Sequence, residues 1–265
     1  MNENRREKMD RITQMLTEGV EQDFSSDRYA EWLRVCSKFH HYSINNQILI
    51  LMQAPHASQI AGYKAWQLMG RQVRKGEKGL LIIAPMRIKD KDPDTEDEER
   101  LLFKATTVFD IAQTDGEDLP SLVDELTGND ASYDNLIEKL IMYSPVPVRF
   151  KAISDSAYGY FSPADKEICI KSGLSKQQTC KTLIHEIAHS ICDADPKAKT
   201  DRETKEVRAE SVAFCVCSGL GIDTGEYSFG YIAGWSSNKE VPELKNIMQD
   251  IKRVADDILT AIVPT

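Results

Sequence analysis

At 265 residues the chain can bury two modest cores, and 41% apolar with 28% charged residues is an ordinary globular composition. No run of 18 apolar residues occurs, which excludes a membrane-spanning helix, and the polar start from Met1 to Ile12 is unlike a secretion signal. Six cysteines without regular spacing suggest reduced thiols in a cytoplasm rather than a disulfide frame. The net charge of −9 argues against a nucleic-acid partner only as an average. Residues 1–85 hold 12 Lys and Arg against 9 Asp and Glu, whereas residues 86–265 hold 21 against 33.

In chain order, helical periodicity predicts helices from Glu3 to Val20, from Asp27 to Lys38 with Trp32, Leu33 and Cys36, and from Asn45 to Met52, ending before Pro55. Strands flank a glycine turn at Lys75–Gly79, with Leu80–Ala84 the clearest and Phe103–Ile111 returning. Asp90–Arg100 is acidic, contains a proline and lacks apolar periodicity, so it reads as a loop within that sheet. Thr114–Leu119 is turn-rich and begins the passage between two domains, and Leu122–Tyr143 supplies a helix to the second. Val146–Phe150, Ala157–Phe161 and Glu167–Ile170 read as short strands bounded by proline, glycine and serine.

Ser175-Lys176-Gln177-Gln178 is a capping box, and Thr179, Leu183, Ile184, Ile187, Ala188 and Ile191 recur behind it at helical spacing. That helix carries His185-Glu186-Ile187-Ala188-His189. Two imidazoles four residues apart project from one helix face and can grip one ion, and the intervening glutamate is placed to take a proton from water on it. Such sites use zinc, which lowers the water's pKa to about 7; manganese can replace it in vitro, since a nitrogen and oxygen site is weakly selective. A short sheet followed by a buried helix carrying the histidines is the layout of zincin-type peptidases.

The third ligand is narrowed by composition. The five histidines are His40, His41, His56, His185 and His189, so no histidine follows the motif. The next helix, Glu203–Leu220, opens with a second capping box at Thr200-Asp201-Arg202-Glu203 and offers Glu206 and Glu210 one turn apart. Glu206 is the favoured third ligand, with Glu210 orienting a ligand histidine. Asp195 competes from six residues beyond His189, but Cys192 stands where a sharp turn there needs glycine. Cys192, Cys215 and Cys217 read as packing residues. Tyr227 and Tyr231 are both candidates for stabilising a developing oxyanion. Pro242–Ile262 closes the chain as an amphipathic helix.

In the first half, Arg71, Arg74, Lys75 and Lys78 cluster around two glycines, with Tyr63 and Trp66 just before them. Cations beside aromatic platforms suit sequence-tolerant binding of single-stranded nucleic acid. A solvated basic hairpin with Trp66 in the core fits the same residues, and Asn45, Asn46 and Gln47 serve either reading.

Landmarks across nearly the whole chain resemble one family. His185–His189, then Glu206, Ala209 and Glu210, then Leu220-Gly221-Ile222 and Tyr231-Ile232-Ala233-Gly234-Trp235 are similar to the zincin-like domain of the ArdC antirestriction proteins. More distantly, they resemble the ImmA/IrrE metallopeptidases. His41–Leu49, Gln53-Ala54-Pro55, Trp66, Gly70-Arg71, Val73–Gly79 and Val108–Thr114 resemble the ArdC amino-terminal domain. The resemblance implies an α+β protein with a single-stranded-DNA-binding domain at 1–116 and a zincin-like metallopeptidase domain at 117–265. It implies a role in antirestriction or in protecting DNA transferred by a mobile genetic element during conjugation. It also tips the basic cluster towards DNA. Two functions from different classes follow: a zinc peptidase with an unknown protein or peptide substrate, or a protective DNA-binding protein whose zincin domain only holds metal.

Overall fold

The computed structural model describes residues 2–22, 26–89, 99–117 and 130–263, apart from positions 155, 196, 198, 226, 228 and 238. The chain forms two compact units, one of Met1–Asp23 with Tyr42–Leu119, the other of Phe24–His41 with Pro120–Thr265. The expected boundary at 116/117 therefore differs from this division chiefly in the segment 24–41, which packs with the carboxyl-terminal elements.

The first unit contains helices α1 (Asn2–Gln22) and α3 (Ile44–Gln53), with α2 (Ser26–Lys38) belonging to the second unit. Ser43 caps α3, its hydroxyl accepting from the Asn46 amide. The sheet is built on β3 (Leu80–Lys89) and β4 (Glu99–Asp110), which pair antiparallel from Leu80 opposite Val108 to Lys89 opposite Glu99, and β1 (Ile60–Ala61) flanks β4. Glu99 and Arg100, expected in a loop, thus extend the strand, because the ladder continues through Leu101, Leu102 and Phe103. The remainder of the expected acidic loop, residues 90–98, lies outside the described residues. Ile12 of α1, Leu49 of α3 and Leu81 of β3 form the centre of the core.

The free edge of β3 is covered by amides rather than by a strand. Asn46 donates to Ile83 O at 2.9 Å and accepts from Ile83 N at 2.8 Å; Gln53 does the same with Leu81, at 2.9 Å each way. The two side chains, two helical turns apart, reproduce the ladder that another strand would have made. Asn46 is therefore structural.

The stretch expected to be turn-rich from Thr114 also pairs. Thr114–Gly116 forms β5 antiparallel to β2 (Arg71–Val73), after the short helix α4 (Tyr63–Leu68). Arg71 fastens this pair, donating from Nε to the Thr114 hydroxyl at 2.8 Å and from Nη2 to Thr114 O at 3.2 Å. A Cβ on Gly116, at φ +147°, would lie 2.6 Å from Gly70 O, so only glycine fits.

In the second unit α5 (Asp130–Tyr143) represents the described part of the expected 122–143 helix; residues 122–129 lie outside the described residues. A sheet of order β6 (Val148–Lys151), β8 (Glu167–Lys171), β7 (Gly159–Ser162) follows, parallel in its first pair and antiparallel in its second. Helices α6 (Lys176–Cys192), α7 (Arg202–Gly219), α8 (Ile232–Ser236) and α9 (Val241–Ile262) complete it. Ser175 caps α6 as its sequence predicts. The cap of α7 is Asp201 rather than Thr200, its carboxylate accepting from Thr204 N at 2.8 Å, one residue later than the serine-threonine pattern suggests.

The second half of α7 is apolar nearly all round, with Val212, Phe214, Val216 and both cysteines buried, so it must be enclosed on several sides. α2 (Ser26–Lys38) supplies one of those covers: Tyr29, Trp32, Leu33 and Cys36 are fully buried, and the Tyr29 hydroxyl meets Ser211 Oγ at 2.8 Å. This is the physical reason that residues 24–41 join the second unit. Cys215 and Cys217 are core residues there.

Candidate metal centre

α6 is held against the sheet at close range, since a Cβ on Gly159 of β7 would lie 2.7 Å from Thr182. This packing fixes the helix face carrying His185 and His189. Their Nε2 atoms lie 3.1 Å apart, and Glu206 Oε2, from the first turns of α7, lies 3.7 Å and 3.6 Å from them. A tetrahedral ion with bonds of about 2.0–2.2 Å holds its donors roughly 3.3–3.6 Å apart. The three side chains thus meet the size requirement of a divalent ion, and their donor set of two imidazoles and a carboxylate suits one.

Charge is arranged to match. His185 and His189, beside it at 3.7 Å and 3.6 Å, hold the Glu206 carboxyl well below the usual carboxylate range. Burial opposes a charge on His189, yet the hydrogen bond to Asp193 and the neighbouring Glu206 carboxylate raise its pKa to about 9. Glu186 is 6% exposed, and burial pushes its carboxyl up, partly offset by the two histidines and by a backbone hydrogen bond at Phe161. A carboxyl raised in this way is closer to the neutral-pH poise that a general base needs. It opens, with His185, onto a cleft of about 370 Å³ lined also by Tyr158, Gly159, Lys181, Glu210 and Tyr227.

The residue that holds the His189 ring is Asp193, which was not among the residues expected from sequence. Its Oδ2 lies 2.8 Å from His189 Nδ1, and its Oδ1 accepts from Arg208 Nη2 at 2.6 Å. The i,i+4 spacing from His189 was the available signal. Glu210, expected in that role, instead accepts the Tyr231 hydroxyl and faces the cleft. Of the two tyrosines, Tyr227 lines the cleft. Asp195 is exposed and caps its own turn through Lys197 N at 2.9 Å, apart from the ion-sized cluster. Burial pushes the Cys192 thiol up to about 11, in keeping with packing.

The basic cluster of the first unit is only partly brought together. Trp66 is 1% exposed, and its indole N–H donates to Phe109 O at 2.9 Å, so it is a core residue and offers no stacking face. Arg71 is buried and spends its guanidinium on the β2–β5 pair, which takes it too out of the expected surface. Arg74 is exposed but pairs with Glu77 at 3.0 Å and Asp115 at 3.4 Å. Lys75, Lys78 and Tyr63 remain exposed, and Tyr63, Arg74 and Lys75 share an open cleft. No helix among the described residues is long and apolar enough to cross a membrane.

Comparison with known proteins matches each half separately. Residues 2–109 match the model of the N-terminal domain of anti-restriction factor ArdC, and residues 142–217 that of the IrrE N-terminal-like domain of the M78 peptidase class. An uncharacterized Bacillus anthracis protein is 25% identical over 306 residues, covering 98% of this chain and 51% of its own. The chain thus spans about half the length of the curated relative it matches. Crystal structures of the antirestriction protein ArdC from plasmid R388 share the fold. The metal-free and Mn(II)-bound forms superpose with TM-scores of 0.50 and 0.52, each at 20% identity over 83% of this chain and 85% of that one.

Proposed function

We propose that this chain, whose two parts match the ArdC amino-terminal and IrrE-like domain models, is a metal-dependent peptidase of protein or peptide substrates that binds single-stranded DNA and serves in antirestriction. The observation that carries the reading is the convergence of His185, His189 and Glu206 near the buried carboxyl of Glu186, with His185 and Glu186 lining a cleft. The Mn(II)-bound form of the R388 relative supports a divalent ion at such a fold. Zinc is the ion proposed here, and the boundary between functions is placed near 116/117 in sequence.

A divalent ion held by the three donors would supply Lewis acidity to a carbonyl oxygen and acidify a water beside it. The chain's own residues do the rest. β7 is an edge strand, and Gly159 beside the cleft can align an extended peptide by backbone pairing. Glu186 takes a proton from the attacking water and returns it to the leaving amine. Tyr227, which lines the cleft, is the proposed donor to the developing oxyanion. Asp193 keeps the His189 ring in the orientation that directs Nε2 at the ion. On the DNA side, Lys75, Lys78 and Arg74 contact phosphates, and Tyr63 is the one aromatic of the expected pair exposed for a base to stack on.

The test compares parent and Glu186→Gln chains, both loaded with zinc, for cleavage of a denatured protein substrate and for self-cleavage. The variant should retain its metal and its affinity for a labelled single-stranded oligonucleotide while losing cleavage. Equal cleavage by both would remove Glu186 from the chemistry. Absence of cleavage by the parent, with DNA protection intact, would favour the purely protective function.

A further inference from the structure

The geometry points to a second divalent-metal site in this chain, formed by His40, His41 and Asp256. It lies in the second unit, where the chain leaves α2, against the carboxyl-terminal half of α9. His40 Nδ1 is 2.8 Å and His41 Nδ1 3.0 Å from the same oxygen, Asp256 Oδ1. The ligating atoms of all three side chains fall within 4.8 Å of one another, the only such cluster among the described residues besides the centre on α6.

An ordinary ion pair would be satisfied by one imidazole. Here two sequence neighbours direct the same ring atom at one carboxylate oxygen, with ring centroids 3.9 Å apart. Donors around a tetrahedral zinc lie roughly 3.3 Å apart. The histidine-to-aspartate distances therefore need to open by only a few tenths of an ångström for an ion to enter. Lys252 holds the other oxygen, Oδ2, at 2.8 Å, which fixes the carboxylate and leaves Oδ1 turned towards the rings. His41 is 67% exposed, so the remaining coordination positions open to solvent.

The donor set also states which ions fit. Two neutral imidazoles and one carboxylate already balanced by a lysine suit zinc, nickel, cobalt or copper. They do not suit calcium or magnesium, which are held mainly by oxygens, calcium by six to eight of them. A bound ion would tie the segment after α2 to α9, so occupancy should raise the thermal stability of the folded chain.

The test separates this site from the one on α6. In a His189→Ala chain, which lacks a ligand of the first centre, calorimetric titration with Ni²⁺ should still find about one equivalent, and Mg²⁺ none. Adding His41→Ala, or His41→Gln as an independent variant, should abolish that binding while the circular-dichroism melt of the metal-free chain stays unchanged, since the ring is exposed. Conversely, His41→Ala alone should lower the parent from about two equivalents to one. Retention of the parent stoichiometry by either His41 variant would overturn the assignment, as would absence of Ni²⁺ binding in the His189→Ala chain.

Discussion

Replacing Asp193 by alanine removes the partner of His189 and the partner of Arg208 together, so two separable losses should follow. The His189–Asp193 contact is 2.8 Å and the Arg208–Asp193 contact 2.6 Å, with side chains 6% and 10% exposed for Asp193 and Arg208. Leaving one member of a buried pair alone costs about 3–5 kcal/mol. Asp250 lies 3.5 Å from Arg208 Nη1 but is 43% exposed, so it compensates in part and the loss should fall near the lower end, about 3 kcal/mol. Freeing the His189 ring should separately weaken metal binding by about 10–100-fold, which is about 1.4–2.7 kcal/mol. Urea denaturation of the metal-free chain reads the first loss, and competition with a chromophoric chelator, at temperatures where the variant is folded, reads the second. Arg208→Met should reproduce much of the first and little of the second, because it leaves the aspartate on His189. Parent-like metal affinity in Asp193→Ala would refute the positioning argument, whatever happened to stability.

Trp66→Ala should destabilise the first unit by about 3–5 kcal/mol in chemical denaturation, since a fully buried indole and its bond to Phe109 are lost; a small effect on stability with a large one on DNA affinity would restore the stacking role. Glu186→Gln should lower any peptidase rate by about 10²–10⁴-fold with metal content unchanged, as measured by turnover and elemental analysis. Binding to single-stranded DNA should weaken with salt at a slope of about −2 in log units, the value for three phosphate contacts from Arg74, Lys75 and Lys78; fluorescence anisotropy giving a slope near zero would exclude them. Acidification should expose the Glu167 bridge. Arg149 and Lys151 of β6 both bind this carboxylate at 2.7 Å, and the Lys151 hydrogen bond above all holds its pKa down at about 2. A depressed carboxylate contributes stability above its unfolded value, and that contribution is lost as pH falls from about 4.5 towards 2. Over that window the parent should therefore lose stability relative to Glu167→Gln, and parallel curves would contradict the bridge.

The candidate cluster was legible because its parts are local. Cap, helical period and the His185–His189 spacing all lie within a few turns, and the scarcity of histidines points to a carboxylate such as Glu206. Asp193 was not foreseen although its spacing from His189 was equally local, because Glu210, one turn after Glu206, was expected to hold the histidine. The basic cluster failed for a different reason. Charge and aromaticity do not reveal burial, and Arg71 and Trp66 are consumed by long-range partners at Thr114 and Phe109. The same holds for Asn46, whose amide suits helix capping or nucleic-acid contact alike until β3 lies beside it. Likewise nothing within 26–38 indicates which unit receives α2; the demand arises on α7, nearly 200 residues away.

The central claim is that His185, His189 and Glu206 hold one divalent ion beside Glu186. Anomalous diffraction at the zinc edge from a zinc-loaded crystal tests it most directly. A peak is expected about 2.0–2.2 Å from His185 Nε2, His189 Nε2 and a Glu206 carboxylate oxygen, with Asp193 on the far nitrogen of His189 and Glu186 not coordinated. A peak ligated by Asp195 or Glu210 in place of Glu206, or no peak at the α6 histidines, would contradict it.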